Sequence, residues 1–281
     1  MKILLTGRQG QVGSALEPLL APLGDLVAFD RAGLDLADAA KLRERVARER
    51  PDIIVNAAAY TAVDRAEAER EQAFAANARA PAVLAEEAAR TGALLIHFST
   101  DYVFDGTKRR PYVETDETAP LNVYGESKRA GEQAIAASGC RHVILRTSWV
   151  YSARGRNFVL SILAAARAGR PLRVVDDQAG APTSSRQIAD AVVRVISSRE
   201  VPSGLYHLSA AGETTWCGIA REILAQTGLA VPVTPVSTAE YGAPARRPAN
   251  SLLDNAKLRR QWGVALQDWK AELAAVLRAV Q

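Results

Sequence analysis

A short apolar segment runs into a glycine-rich turn and then into an amphipathic helix at the start of the chain. Lys2–Thr6 is mostly aliphatic, and the turn after it carries Gly7, Gly10 and Gly13. A strand, such a turn and a helix predict the opening of a dinucleotide-binding βαβ unit. The first glycine permits the tight turn, the second lets the backbone approach a pyrophosphate, and the third allows the helix to pack closely on the strand. The helix N-terminus then favours the anion.

The second predicted strand, residues 25–30, ends in an acid at about the distance that this motif requires. Asp30 can accept hydrogen bonds from the adenosine ribose hydroxyls, which favours NAD, because a carboxylate repels a 2′-phosphate. Arg31 follows directly and can pair with the 2′-phosphate of NADP, or it can point into solvent. The sequence therefore predicts NADH or NADPH as cofactor and leaves the choice open.

Three further apolar segments predict strands at residues 52–59, 93–100 and 141–146, and a helical stretch covers residues 66–90. Continuous apolar strands are typical of a parallel sheet that is buried on both faces. Strands that alternate with helices predict an α/β fold, a Rossmann-type doubly wound parallel sheet. Ligands of such sheets bind outside the carboxyl ends of the strands. Those ends carry Gly7, Asp30, Ala59, Thr100 and Thr147.

The composition changes after Tyr151, where segments rich in Gly and Pro alternate with short helical patterns at residues 187–197, 217–227 and 267–280. We therefore expect a dinucleotide-binding domain at residues 1–151. Residues 152–281 are expected to form mainly a smaller substrate-binding lobe, with some segments returning to the main sheet.

Charge and composition exclude several classes of function. The net charge of +4 comes from scattered arginines, and no basic run with interleaved aromatics predicts binding to nucleic acid. No apolar run reaches membrane-spanning length, and the N-terminus enters a strand at once, without the pattern of a signal peptide. Two distant cysteines and three histidines without ligand spacing predict neither a disulfide nor a metal site. We expect a cytoplasmic protein.

Tyr124 and Lys128 stand four residues apart, so on a helix both side chains lie on one face. A free phenol titrates near pH ~10, and a nearby ammonium favours the phenolate. The pair can therefore act as a general acid–base unit. Tyr-x-x-x-Lys is also common on solvated helix faces. The position of this pair supports the catalytic interpretation, because the pair follows the glycine-rich start and a strand that ends in Ser99-Thr-Asp101.

These residues together resemble the extended short-chain dehydrogenase/reductase family. Within it, several blocks are similar to the branch of dTDP-4-dehydrorhamnose reductases, and the resemblance spans nearly the whole chain. It implies an NAD(P)H-dependent oxidoreductase that reduces the C4 keto group of dTDP-4-dehydro-L-rhamnose to dTDP-L-rhamnose, a precursor of cell-surface polysaccharide. The blocks are Gly10-Gln-Val-Gly13, Asn56-Ala-Ala-Ala-Tyr-Thr-Ala-Val-Asp64, Ser99-Thr-Asp-Tyr-Val-Phe-Asp-Gly106, Tyr124-Gly-Glu-Ser-Lys128, Arg146-Thr-Ser-Trp149, Gln178-Ala-Gly-Ala-Pro-Thr183 and Arg247-Pro-Ala-Asn-Ser251.

The resemblance also implies roles. Tyr124 would donate a proton to the sugar's C4 alkoxide, Lys128 would lower the pKa of Tyr124 and hold the nicotinamide ribose, and Thr100 would hydrogen-bond the reacting carbonyl. Asp101 and Trp149 would join Thr100 and Tyr124 in binding the sugar, with a core position as the alternative for Trp149. The expected cofactor contacts, in which Tyr60 replaces the family's histidine, are Gly7, Gly10, Gln11, Val12, Gly13, Asp30, Arg31, Asp35, Leu36, Ala57, Ala58, Ala59, Tyr60, Thr61, Tyr124 and Lys128.

The resemblance implies a nucleotide-sugar substrate and allows a homodimer. Two alternatives stay open at this point. The first is another nucleotide-sugar enzyme of the same fold, although related dehydratases carry Thr-Asp-Glu where this chain has Thr100-Asp-Tyr102. The second is a non-catalytic NADP-binding regulatory subunit, against which the intact Thr100, Tyr124 and Lys128 argue.

Overall fold

The computed structural model describes residues 1–280. Twelve strands lie in this range. In chain order they are β1 Lys2–Thr6, β2 Asp25–Phe29, β3 Ile53–Asn56, β4 Leu94–Thr100, β5 Arg141–Thr147, β6 Val150–Tyr151, β7 Leu172–Val175, β8 Ala179–Gly180, β9 Thr183–Ser184, β10 Gly204–His207, β11 Thr214–Thr215 and β12 Val233–Val236.

The α-helices, in chain order, are α1 Gln11–Leu20, α2 Ala39–Glu49, α3 Val63–Ala66, α4 Arg70–Phe74, α5 Ala80–Thr91, α6 Val123–Ala137, α7 Phe158–Arg167, α8 Ser185–Ile196, α9 Trp216–Thr227, α10 Thr238–Tyr241, α11 Ala256–Trp262 and α12 Trp269–Ala279. Short 3₁₀ turns cover Ala21–Leu23 and Asp101–Val103, and a π-helical turn covers Ala75–Arg79. Across residues 1–280, the structure contains no helix with the length and apolarity that a bilayer crossing requires.

Six parallel strands form the main sheet in the order β2-β1-β3-β4-β5-β10. The chain leaves β1 toward β2 on one side and returns to β3 on the other, so the strand order reverses beside β1. A crevice opens at such a reversal, outside the carboxyl ends of the strands. The predicted doubly wound parallel sheet is confirmed.

Helices cover both faces of this sheet, which explains why its strands carry apolar side chains on both faces. On one face, α1 and α8 share a core with the sheet through Leu16, Leu20 and Ile188. On the other face, α2, α5 and α6 pack through residues such as Leu42 and Leu84. The return of α8 and β10 to the main sheet shows that the later half of the chain contributes to its core.

A second apolar cluster joins α7, α9, α12 and β7, and it includes Ile162, Ile223 and Leu273. Most of it comes from the region after residue 151, and Tyr151 of β6 joins it. The expected division of the chain between residues 151 and 152 stays a prediction.

The helical stretch predicted for residues 66–90 is interrupted in the structure. Pro81 lies in the first turn of α5 and has no N–H, so the carbonyl of Asn77 lacks its ordinary helical donor, and the backbone there forms the π-helical turn. The third strand is shorter than expected, since β3 ends at Asn56. Ala57, Ala58 and Ala59 continue beyond it toward the crevice.

Candidate active site

A cleft of about 1140 Å³ lies at the carboxyl edge of the sheet. Almost all of the residues that the sequence singles out line it, although they come from distant parts of the chain. Gly13 is the exception, since it lies beneath the cleft and does not line it. The predicted residues that the cleft brings together are Gly7, Gly10, Gln11, Val12, Asp30, Arg31, Asp35, Leu36, Ala57, Ala58, Ala59, Tyr60, Thr61, Thr100, Asp101, Tyr124, Lys128 and Trp149.

The glycine turn after β1 leaves no room for side chains. Gly7 has φ of +74°, and a Cβ there would lie 2.7 Å from the backbone nitrogen of Ala58. A Cβ on Gly13 would lie 2.0 Å from the carbonyl oxygen of Gly7, so Gly13 serves helix packing. Gly10 caps α1 without a side-chain hydrogen bond, which leaves the first N–H groups of the helix free for an anion. The turn therefore fits the diphosphate of a dinucleotide.

Asp30 and Arg31 stand at the mouth of the cleft in different settings. The Asp30 carboxylate accepts a hydrogen bond from Gln9 Nε2 over 2.8 Å and another from the backbone N–H of Gly33 over 2.9 Å. The Arg31 side chain is 87% exposed, and its Nε lies 3.5 Å from Asp35 Oδ2. Asp30 is therefore held in place, whereas Arg31 extends into solvent beside the cleft.

Tyr124 lies in the first turn of α6, where Asn122 caps the helix by accepting a hydrogen bond from the backbone N–H of Gly125 over 2.8 Å. The pKa of Tyr124 is raised to about 12, mainly because burial removes water from the phenol; Thr100 lowers it and the Asp101 charge adds to the rise. The pKa of Tyr124 is therefore raised in the protein alone, where the Lys128 ammonium donates to another group. The expected effect of Lys128 on this pKa stays a prediction.

Lys128 is buried one turn after Tyr124. Its Nζ donates to the carbonyl oxygen of Phe98 over 2.6 Å and lies 3.3 Å from His97 Nε2. Burial lowers the pKa of Lys128 to about 8, against the Glu132 charge, which raises it. An ammonium with such a pKa can give up its proton near neutral pH. His97 is a site residue that sequence reasoning missed, since its setting in an apolar strand is also that of a core histidine.

Unpartnered polar atoms gather beside Thr100. Asp101 is 2% exposed, and burial raises its pKa to about 7, although hydrogen bonds with Ser251 and Thr100 oppose the shift. Within the described chain, Asp101 Oδ2, Ser99 Oγ and Thr147 Oγ1 are buried without a hydrogen-bond partner. Ser99, Asp101 and Thr147 all line the cleft. Buried polar atoms without partners are uncommon in proteins, so this wall is suited to hydroxyl-bearing ligands.

Trp149 lines the cleft and also packs against the second apolar cluster, so its role in sugar binding stays a prediction. It has φ of +48°, and its ring stacks on Trp216 with centroids 3.8 Å apart. Gly180 makes room for it, since a Cβ there would lie 2.5 Å from the Trp149 ring. Sequence reasoning missed Trp216, because the stacking joins α9 to a loop 67 positions earlier and leaves no local signal.

Asn77 ties the cofactor side of the cleft to α6. Its Oδ1 accepts from the backbone N–H of Tyr60 over 2.9 Å, and its Nδ2 donates to the Tyr60 carbonyl over 2.9 Å and to Ser127 Oγ over 3.0 Å. The carbonyl of Asn77 also touches α6 at Gly131, where a Cβ would lie 2.1 Å from it. In the sequence, the one indication of this role is an asparagine inside a predicted helix.

The loop before α7 also lines the cleft through Gly155, Arg156 and Asn157, and sequence reasoning did not foresee this. Asn157 Nδ2 donates to Gln11 Oε1 over 3.0 Å, which links the loop to the first turn of α1. Arg156 adds a positively charged residue to the lining of the cleft.

Comparison with known proteins decides the family. The model of the RmlD substrate binding domain matches residues 1–281. A dTDP-4-dehydrorhamnose reductase of Burkholderia thailandensis is 44% identical over 99% of this chain and 98% of its own length, and the Escherichia coli K12 enzyme is 44% identical over 99% and 97%. This chain belongs to the dTDP-4-dehydrorhamnose reductase family. The resemblance seen in the sequence is therefore confirmed.

Solved structures of the dTDP-4-dehydrorhamnose reductase family agree with this assignment. The Clostridium acetobutylicum protein has a TM-score of 0.96 at 36% identity and covers 100% of both chains. The Bacillus anthracis protein, solved in complex with NADP, has a TM-score of 0.95 at 35% identity and covers 99% of both chains. A UDP-glucose 4-epimerase of Thermus thermophilus, at 20% identity and a TM-score of 0.84, shares the fold alone.

Proposed function

We propose that this protein reduces the C4 keto group of dTDP-4-dehydro-L-rhamnose to the alcohol of dTDP-L-rhamnose, with NADPH or NADH as the hydride donor. The observation that carries the proposal is the cleft itself. In a member of this family, it collects the glycine turn, Thr100, Tyr124 and Lys128 at one edge of the sheet.

A nicotinamide dinucleotide, when bound, supplies the hydride, and the protein supplies orientation and a proton. The free N–H groups at the start of α1 would hold the diphosphate, with Arg156 beside them. Asp30 would accept from the adenosine ribose, and Lys128 would contact the nicotinamide ribose. The NADP in the Bacillus anthracis relative supports this choice of cofactor class.

Tyr124 is proposed as the proton donor. An acid must hold its proton until the oxygen of the substrate becomes negative, and a pKa of about 12 keeps the phenol protonated at neutral pH. The Thr100 hydroxyl, which donates to Asp101 Oδ1 over 3.1 Å, lines the same cleft and could turn toward the same substrate oxygen. The two hydroxyls would then stabilise the developing alkoxide together.

The sugar would lie between an apolar wall and a polar one. The stacked rings of Trp149 and Trp216 offer a flat apolar surface, which suits the C–H face of a sugar. Ser99, Asp101 and Thr147 line the same cleft and carry polar atoms without partners, which could pair with sugar hydroxyls. A homodimer and a cytoplasmic location stay predictions.

Tyr102 is the residue that disfavours a dehydratase. Related dehydratases carry a glutamate at this position, and this chain has a tyrosine without a carboxylate, whose ring stands edge-on to Tyr124 with centroids 5.6 Å apart. The alternatives of an epimerase and of a regulatory subunit are separated by assay, because neither oxidises the cofactor in stoichiometric amounts.

The test is oxidation of NADPH and of NADH by the purified protein with dTDP-4-dehydro-L-rhamnose, with product identification by NMR. We expect one cofactor oxidised per dTDP-L-rhamnose formed. Tyr124→Phe should remove the activity, and Tyr241→Phe, at a tyrosine that is 59% exposed, is the matched control. Cofactor binding without turnover would instead indicate the regulatory subunit, and isomerisation without net oxidation would indicate an epimerase.

A further inference from the structure

Four buried polar side chains from four elements form one hydrogen-bonded chain beneath the cleft. Thr6 Oγ1 donates to Asn56 Oδ1 over 2.7 Å, and Asn56 Nδ2 lies 3.1 Å from His97 Nδ1. His97 Nε2 in turn lies 3.3 Å from Lys128 Nζ. Each of the four residues is at most 2% exposed. Water therefore does not compete for these bonds, and the direction of each one matters.

The Thr6 hydroxyl fixes the direction of the chain. A separation of 2.7 Å is the usual length of an O–H···O bond, which places the amide oxygen of Asn56 on the Thr6 side. The amide nitrogen then donates to His97 Nδ1. Burial and the neighbouring Lys128 hold the pKa of His97 well below its usual range, so the imidazole is neutral and carries one hydrogen. Since Nδ1 accepts, that hydrogen lies on Nε2, which faces Lys128.

An N–H group that faces a lysine favours the amine over the ammonium. An ammonium has three N–H donors and no acceptor, so it cannot form a hydrogen bond with the N–H group at Nε2. An amine has a lone pair that can accept from that N–H group. The other bond of Lys128, to the carbonyl of Phe98, can form in either state because both states carry N–H groups.

We propose that His97 is a positioning residue that promotes proton release from Lys128: Thr6 and Asn56 hold it as the Nε2–H tautomer, which stabilises the amine left behind. This rests on the proposed function, in which Tyr124 gives its proton to the substrate oxygen. The Lys128 ammonium then turns from the Phe98 carbonyl toward the phenolate, one of its N–H bonds breaks as the phenol O–H bond re-forms, and a solvent proton later restores the ammonium. The lowered pKa of Lys128, about 8, suits such a transfer near neutral pH.

Other titratable groups also act around Lys128, and they are independent of the imidazole. Tyr124 and Glu132 belong to the same helix, and Asp101 follows β4. The Glu132 carboxylate raises the pKa of Lys128 and is itself held by Arg146 through bonds of 2.8 Å and 2.6 Å. A change confined to Thr6 leaves all of these groups in place, which makes the contribution of the tautomer separable.

The direct test is the tautomer itself, measured by ¹⁵N NMR on protein labelled at histidine. The chain has three histidines, so His142→Gln and His207→Gln variants assign the signals. We expect His97 to be neutral, with hydrogen on Nε2, at pH values on both sides of the Lys128 titration. Hydrogen on Nδ1 would overturn the inference. This measurement needs no turnover, so a protein without reductase activity would refute the proposed function and leave this test standing.

The second test is the pH dependence of kcat/KM in Thr6→Val. Loss of the hydroxyl frees the Asn56 amide to turn, and Nε2 can then accept from the ammonium. The pKa of Lys128 should rise, and the basic limb, where activity falls as Lys128 loses its proton, should move up by about one pH unit. His142→Gln is the control, because the His142 ring bonds to the Cys140 carbonyl, away from the cleft. The basic limb of the pH profile should not move in this variant.

Asn56→Asp should move the limb in the same direction, because a carboxylate binds an Nδ1–H group, but its charge also acts on Lys128 directly. Thr6→Val is therefore the decisive variant. The inference would be overturned if Thr6→Val still binds cofactor and the basic limb of its pH profile coincides with that of the wild type or moves to lower pH. If Thr6→Val does not fold, the tautomer of the wild type decides.

Discussion

The ion pair between Glu132 and Arg146 lies under the active site and supports a sharp prediction about stability. Glu132 is on α6, the helix that carries Tyr124 and Lys128, and Arg146 is on β5. Two hydrogen bonds of 2.8 Å and 2.6 Å join them, and their side chains are 6% and 4% exposed. The guanidinium also stacks over Phe104 at 4.9 Å from the ring centroid. Removal of the carboxylate would therefore leave a buried cation without a counter-charge.

We expect Glu132→Gln to lower the free energy of unfolding by about 3 kcal/mol, at the lower end of the range of about 3–5 kcal/mol for a broken buried pair, because the amide oxygen keeps one bond. For a protein of this size, that loss lowers Tm by roughly 6–12 °C. Urea titration followed by circular dichroism measures it. Glu132→Met with Arg146→Met should recover most of the loss, because an apolar pair of similar volume needs no counter-charge.

The matched control is Glu126→Gln on the same helix, whose partner Arg70 is 57% exposed. That variant should lose less than about 1 kcal/mol. Glu132→Gln should also move the basic limb of the pH profile to lower pH, since the carboxylate raises the pKa of Lys128 against burial. If Glu132→Gln is no less stable than Glu126→Gln, the reasoning from burial is refuted.

Three further predictions concern the reaction. Tyr124→Phe should keep its cofactor affinity and lose about two to four orders of magnitude in kcat, the range for a general acid; near-normal turnover would remove Tyr124 from the mechanism. Lys128→Met should raise the KM for cofactor and lower kcat as well, and an unchanged KM would exclude the ribose contact. Arg31→Ala should shift the ratio of kcat/KM values toward NADH by about tenfold or less, because an exposed cation contributes only about 1 kcal/mol. Asp30→Ala should shift that ratio toward NADPH. If Arg31→Ala leaves the ratio unchanged, Arg31 points into solvent and does not contact the cofactor.

The sequence alone predicted the framework of this protein, because the signals for it are local. Apolar segments mark β1 to β5, and glycines mark the turn after β1, where a side chain would collide with backbone atoms. Parallel strands place their carboxyl ends at one edge of the sheet, so the residues predicted at strand ends were also predicted to line the cleft. Eighteen of the predicted residues line the cleft for this reason. The roles assigned to them stay predictions.

Tertiary structure decided the properties that depend on distant partners. Trp216 reaches the cleft because it stacks on Trp149, and Asn77 matters because a π-helical turn brings it against α6. The pKa values of Tyr124 and Lys128 are among these properties. Spacing along a helix puts two side chains on one face, but burial and the nearest polar groups set their pKa values. For Lys128 the nearest partners are His97 and the Phe98 carbonyl, 31 and 30 positions away in the sequence, and only the fold brings them within hydrogen-bonding distance.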